Sequence, residues 1–254
     1  MVAPVVSELH PCAEMTVLQA QLGEWDNLNH LLVCNSSGEA LLIDPFSGRF
    51  WLDEAASRGI DIVAVALTHS HWDHTRGVAE LMELAPDCAV LVHELETLRG
   101  WDGPDTRRWD HPPLTSVPLS MGELHFEVHC TPGHTPGHVT LVGHGVVVSG
   151  DCLFLGRCGR TDLFGGDMHA MWESQMHLNL RLSQLPQHWL VLPGHQYALA
   201  DGTNPTHIAV GDLLAGNPAI ARQSFEEFSR LEFLGFDDSL AEKAERQRAR
   251  SSRS

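Results

Sequence analysis

The run Thr68-His69-Ser70-His71-Trp72-Asp73-His74 sets three imidazoles and a carboxylate within six residues, directly after the apolar run Ile62–Leu67. At that spacing the four groups cannot share one face of a strand or of a helix, where side chains repeat every second or every third to fourth residue. A loop leaving a buried strand can instead fold them around metal ions. Imidazole suits zinc, iron and similar cations, and a carboxylate neutralises part of their charge. Three more candidates follow strand-like runs. They are His134 in Cys130-Thr131-Pro132-Gly133-His134-Thr135-Pro136-Gly137-His138, Asp151 in Val146-Val147-Val148-Ser149-Gly150-Asp151, and His195 in Leu190-Val191-Leu192-Pro193-Gly194-His195. Each alone is a weak signal, because His and Asp are common beside glycine turns. A loop rich in histidine by chance would explain one such site but not four in succession, each after a strand. His138 competes with His134 for a ligand role.

Elements that could carry these residues recur along the chain. Val17–Leu22, His30–Cys34 and Ala40–Ile43 read as early antiparallel strands, with Asn35-Ser36-Ser37-Gly38 as a turn. A short helix is expected over Asp53–Arg58, a buried strand over Ile62–Leu67, a helix over Thr75–Leu84 ending near Pro86, and a strand over Ala89–His93. The polar stretch from Gly100 to Pro113 reads as a surface loop. A second series places strands at Leu124–His129, Val139–Leu141, Val146–Ser149 and Trp189–Leu192, with Asp167 as N-cap of a helix running to about Leu182. Two such series predict an α/β fold with two mixed sheets packed face to face and helices outside, a four-layer αβ/βα sandwich. The expected division is a catalytic domain over residues 1–215 and a C-terminal helical extension over 216–254, whose last dozen residues have the polar composition of disordered tails.

Composition narrows the function classes. The 254 residues carry 16 basic and 33 acidic side chains, a net charge of −17, which disfavours nucleic acid and anionic membranes as partners. An anionic substrate would then need a local positive patch or a metal. The longest apolar runs are only strand-length, so no membrane span is expected. The first basic residue is Arg49, which fits neither a secretory signal nor a transit peptide, and a cytoplasmic location is the expectation. The six cysteines form no C-x-x-C pair and read as reduced thiols. Seventeen histidines, several beside Asp, Gly and Pro, point to chemistry more than to packing.

The His69–His74 run matches the H-x-H-x-D-H signature, and over roughly residues 15–220 the chain resembles the metallo-β-lactamase superfamily. That resemblance implies one metal site of His69, His71 and His134, a second of Asp73, His74 and His195, and Asp151 bridging them. His138 would then brace the site without binding metal. Two divalent ions are implied, zinc first, with iron or manganese also accepted by such ligands. A water shared by two cations loses a proton near neutral pH, one cation polarises a carbonyl, and Asp73 is placed to orient the nucleophile.

The segment Cys152-Leu153-Phe154-Leu155-Gly156-Arg157-Cys158-Gly159-Arg160-Thr161-Asp162 resembles glyoxalase II-like hydrolases and persulfide dioxygenases, and so does Gly194-His195-Gln196-Tyr197. In both families the residues matching Arg160 and Tyr197 contact glutathione. Gly159-Arg160-Thr161-Asp162 resembles the dioxygenases and a short bacterial hydrolase subgroup, whereas standard glyoxalase II has aromatic residues after its Gly-Arg pair. The run from His134 to Val139 is similar to the short hydrolases, and Trp72 stands where dioxygenases tend to carry alanine. The leading expectation is a metallo-hydrolase, a glyoxalase II-like thioesterase cleaving S-acyl-glutathione or a related acyl thiol by a metal-bound hydroxide. The alternative is a persulfide dioxygenase with one Fe(II) on His69, His134 and Asp151, oxidising glutathione persulfide to sulfite. A silent binding module would not need the complete ligand set, and RNA-processing relatives would need a further domain and a basic surface.

Overall fold

The computed structural model describes residues 4–234. Its first sheet has seven strands in chain order: β1 (Val6–Cys12), β2 (Met15–Leu22), β3 (Asn27–Cys34), β4 (Glu39–Ile43), β5 (Asp61–Ala66), β6 (Ala89–His93) and β7 (Arg107–Trp109). The first four pair antiparallel through short turns, and β4 to β7 pair parallel. Parallel neighbours need a crossover. Helix α1 (Gly48–Arg58) supplies it between β4 and β5, and α2 (Trp72–Thr75) with α3 (Val78–Leu84) between β5 and β6.

The second sheet comprises β8 (Ser116–Met121), β9 (Leu124–Cys130), β10 (Val139–Gly143), β11 (Val146–Gly150), β12 (Leu190–Pro193) and β13 (Ile208–Ala209), in the order β13-β12-β11-β10-β9-β8. Only β11 and β12 pair parallel, and α4 (Met168–Leu182) crosses between them. Asp167 caps α4 by accepting the Ala170 N–H, as its sequence predicts. Helices α5 (Val210–Gly216) and α6 (Phe225–Phe228) follow.

Strand alternation sorts the apolar side chains into three cores. Met15 and Val17 of β2 join Leu32, Leu41 and Ile43 between the sheets, facing Phe126, Val128, Leu141 and Val148. Leu18, Ala20 and Leu22 of β2 point the other way, onto Trp51 of α1 and Leu81 of α3. Val142, Val147 and Val191 meet Met171, Leu178 and Leu213 on the outer face of the second sheet. Two mixed sheets face to face with helices outside form the expected four-layer sandwich. Central strands are buried on both faces, and for that reason they appear in the sequence as unbroken apolar runs.

Several boundaries differ from the sequence expectation. Helix α1 begins at Gly48 rather than Asp53, because the Ser47 hydroxyl accepts the Phe50 N–H and starts the helix before its aromatic residues. The helix expected over Thr75–Leu84 is split in two. At the break, a side chain on Gly77 would lie 2.6 Å from Gly48 N and 2.7 Å from Pro45 O, so α1 and α3 meet backbone to backbone there. The stretch expected as a loop over 100–113 contains edge strand β7, and β1 and β8 went unpredicted. Of the chain beyond 216, Ala219, Ile220, Phe228 and Leu234 pack into the core under α4. The polar tail expected after them lies outside the described residues.

Candidate metal centre

The loops after β5, β9, β11 and β12 converge at one rim of the sandwich. Ligand-type atoms of His69, His71 and His134 lie within 4.8 Å of one another, and so do those of Asp73, His74 and His195. Asp151 stands between the two groups. Its Oδ2 is 3.4 Å from His134 Nε2 and 3.3 Å from His195 Nε2, and its Oδ1 is 3.5 Å from His74 Nε2. Asp73 Oδ2 lies 3.3 Å from His74 Nε2 and 3.2 Å from His195 Nε2. All seven sequence candidates therefore meet in one place.

Four of the five imidazoles are anchored through the ring atom that faces away from this point. His134 Nδ1–H donates to the Arg160 carbonyl at 2.7 Å and His195 Nδ1–H to the Trp25 carbonyl at 2.7 Å. His69 Nδ1 meets the Thr68 hydroxyl at 3.0 Å, and His74 Nδ1 meets Asp44 Oδ2 at 3.0 Å. Each anchor turns its ring so that Nε2 points inward, the second-layer arrangement metal-binding histidines require. Among the described residues no hydrogen bond answers the inward atoms of the first group. His69, His71 and His134 Nε2 and Asp151 Oδ1 are buried without a hydrogen-bond partner. An unpaired buried acceptor costs about 1–3 kcal/mol, and four that converge make a cradle only a cation fits.

Burial, reinforced by the neighbouring imidazoles, pushes His69 and His71 well below the usual histidine range, so both are neutral donors of electron pairs. Burial acts in the opposite sense on Asp151. The adjacent His195 and His74 outweigh it and hold the carboxyl below the usual carboxylate range. Burial also lowers His74 and His195, but the carboxylates of Asp73 and Asp151 outweigh it and raise both above the usual histidine range, so a cation bound there would displace their protons. Imidazoles beside ionised carboxylates form the donor set that zinc, iron and manganese accept.

His138 is engaged elsewhere. Its Nε2 accepts the N–H groups of Asp151 and Cys152 at 3.1 Å each, and Nδ1 meets the Thr131 hydroxyl at 3.1 Å. It braces the turn that presents Asp151. Gly194 explains the close approach of the last loop, since a side chain there would lie 2.3 Å from Asp151 Oδ1.

Three supporting residues had not been identified from sequence. Asn27 Nδ2 donates to Asp73 Oδ2 at 2.8 Å. Asp44 accepts from the Thr68 N–H and hydroxyl while orienting His74. A clue to Asp44 was available, for it follows an apolar strand just as Asp151 does. Glu96 is fully buried and accepts the N–H and hydroxyl of Ser70 at 2.7 and 2.5 Å and the Gly137 N–H at 2.8 Å. It thereby ties the His69–His74 loop to the His134 loop. In sequence it sits among Glu94, Thr97 and Arg99 and reads as part of a solvated face.

Arg160 and Tyr197 lie at the rim. The Arg160 guanidinium grips Asp162 through two hydrogen bonds of 2.8 and 2.7 Å. Tyr197 packs on Phe154 at 4.8 Å beneath the Arg157 guanidinium, with the His195 ring 6.3 Å away.

The metallo-beta-lactamase superfamily model matches residues 24–195. A hydroxyacylglutathione hydrolase of Tolumonas auensis is 36% identical over 177 residues, which cover 66% of this chain and 62% of that protein. Another, from Methylobacillus flagellatus, is 34% identical over 187 residues, 72% of this chain and 70% of that protein. The chain thus spans a little under two thirds of the length of the former. Among solved structures, ETHE1 from Myxococcus xanthus superposes with a TM-score of 0.68 at 25% identity, covering 94% of this chain and 96% of that one. TTHA1623 in a di-iron-bound form superposes at 0.60 with 30% identity, covering 79% and 98%.

Proposed function

We propose, from the premise that the chain belongs to the metallo-beta-lactamase superfamily, that it is a thioesterase cleaving S-acyl-glutathione or a related acyl thiol. The observation that carries this reading is the pair of complete three-residue groups joined by Asp151, in a chain 34–36% identical to hydroxyacylglutathione hydrolases. His69, His71 and His134 hold one divalent cation, Asp73, His74 and His195 the other, and zinc is the first choice for both. When bound, such a pair supplies a water of lowered pKa and positive charge for a carbonyl oxygen. Asp73, fixed by Asn27, orients the attacking water with its carboxylate. Arg160 and Tyr197 hold the thiol portion at the rim, with Asp162 keeping the guanidinium extended.

No helix among the described residues is long and apolar enough to cross a membrane. The six cysteines are unpaired and five of them buried, as a reducing compartment would leave them, which supports a cytoplasmic enzyme. The alternative persulfide dioxygenase, with one iron on His69, His134 and Asp151, draws its support from the Gly159-Arg160-Thr161-Asp162 string. The buried second group of ligands favours the hydrolase. Zinc-loaded protein is expected to contain about two metals per chain and to cleave S-lactoylglutathione or another acyl-glutathione under nitrogen. Iron-dependent oxygen uptake with glutathione persulfide, together with no thioester cleavage in any metal form, would overturn the reading.

A further inference from the structure

Eight large apolar side chains are exposed by more than a third among the described residues, and three aromatic ones belong to segments that carry or anchor the ligand candidates. Trp72, 58% exposed, lies between His71 and Asp73. Trp25, 54% exposed, holds His195 through its carbonyl. Tyr197, 42% exposed, is two residues past His195. They fall into two groups. Trp25 meets Trp72 edge to face at 5.9 Å, Phe46 meets Trp72 at 6.0 Å, and the Arg76 guanidinium stacks over Phe46 at 4.6 Å and over Trp72 at 5.6 Å. Tyr197 instead packs with Phe154 and Arg157, near Arg160. The first group comes from the turn between β2 and β3, the segment before α1, and α2. The second comes from the loops after β11 and β12.

A thioester extends two arms from its carbonyl. The second aromatic group stands with two guanidinium groups and suits a thiol arm that carries carboxylates, as glutathione does. The first group offers an apolar wall of two half-exposed indoles held in place by ring contacts, on residues that flank His71 and Asp73 and anchor His195. Exposed apolar surface concentrated at one spot marks a place where a ligand is received. We infer that Trp25 and Trp72, backed by Phe46, receive the acyl arm, and that the preferred thioesters carry an extended apolar acyl chain rather than a short hydroxyacyl group. This inference rests on the thioesterase reading. Arg76 positions the wall by stacking on two of its rings.

Each methylene removed from water is worth about fourfold in affinity, so a chain of several carbons laid on the wall gains roughly ten- to a hundredfold. The test is calorimetric titration of the metal-loaded protein with S-methylglutathione and S-hexylglutathione, thioethers that no thioesterase can cleave. S-hexylglutathione is expected to bind at least about tenfold tighter, and Trp72→Ala and Trp25→Ala should each cut that ratio to about threefold or less. The ratio is internal to each variant, so partial misfolding does not alter it. Equal affinity for the two thioethers in the unaltered protein would overturn the inference, as would a preference that both variants retain. Absence of all thioester cleavage would overturn the functional reading, while the thioether ratio would still decide the wall by itself.

Discussion

Replacing Glu96 by alanine tests whether a residue remote from any substrate holds the metal loops in register. The carboxylate is fully buried and receives three hydrogen bonds, two from Ser70 and one from Gly137. Ser70 lies between His69 and His71, and Gly137 is three residues past His134. Alanine would strand two backbone N–H groups, each costing about 1–3 kcal/mol when buried and unpaired. It would also leave the Arg99 guanidinium, 4.0 Å from the carboxylate, without its counter-charge. Arg99 keeps its bonds to the Ser70 hydroxyl and the Phe164 carbonyl, which limits that loss. The net destabilisation is about 3–5 kcal/mol, in the range for removing one partner of a buried pair. At roughly 2–4 °C per kcal/mol for a domain of this size, the melting temperature should fall by about 6–20 °C. Loss of such support commonly costs ten- to a hundredfold in metal affinity, and zinc competition against a chromophoric chelator would read it. Glu96→Gln keeps the volume but must turn an amide NH₂ toward one of the donors, and it should lose about half as much. An alanine variant with unchanged melting temperature and unchanged zinc affinity would refute the reasoning.

Asp151→Ala should lower metal content to one ion per chain or fewer and abolish turnover, measured by elemental analysis and thioester cleavage; full content with full turnover would sink the ligand assignment. Arg160→Ala should raise KM for glutathione thioesters by about ten- to a hundredfold with little change in kcat, since a charge-assisted contact is worth roughly 1.5–3 kcal/mol. Equal kinetics on glutathione thioesters and on thioesters of simple alkyl thiols would count against it. Burial lowers His30 from 6.5 to about 4 and keeps it neutral, with Nε2–H donating to the Pro193 carbonyl. The unfolded chain binds that proton first, so this contribution is complete above pH 6.5 and is lost as pH falls toward 4, by about 2.5 kcal/mol at pH 4.5. Urea unfolding of the protein and of His30→Gln between pH 7 and 4.5 would show it as a shallower slope in the variant; parallel slopes would refute it.

The parts of the fold legible in sequence are those where burial is two-sided or a cap is local. Ile62–Leu67 and Val146–Ser149 are packed on both faces and leave little room for polar residues. Asp167 announces α4 because its side chain acts three residues away. Edge strands escaped notice for the converse reason. β8 alternates exposed with half-buried residues and β7 is three residues long, so tertiary pairing alone defines them. The metal-site candidates divide in the same way. The ligand candidates follow strands and break periodicity, which sequence displays. Asn27 and Glu96 act through partners 46 and 26 or 41 residues away, and nothing local distinguishes them.

Both groups of three draw on both sheets. The first sheet contributes His69 and His71 to one group and Asp73 and His74 to the other, from the segment after β5. The second contributes His134, His195 and the bridging Asp151, from segments after β9, β12 and β11. Cations held here would therefore fasten the two halves of the sandwich at the rim, where the inter-sheet apolar core gives way to converging acceptors. Glu96 spans the same seam from the turn after β6 to Gly137 after β9, using hydrogen bonds alone. Because a ligand that binds only the folded state stabilises it by RT ln(1 + [L]/Kd), metal binding and the closure of this seam are one equilibrium. The energy that positions the ligand candidates would then also hold the sheets together, and Glu96 would lower the amount that bound cations must supply.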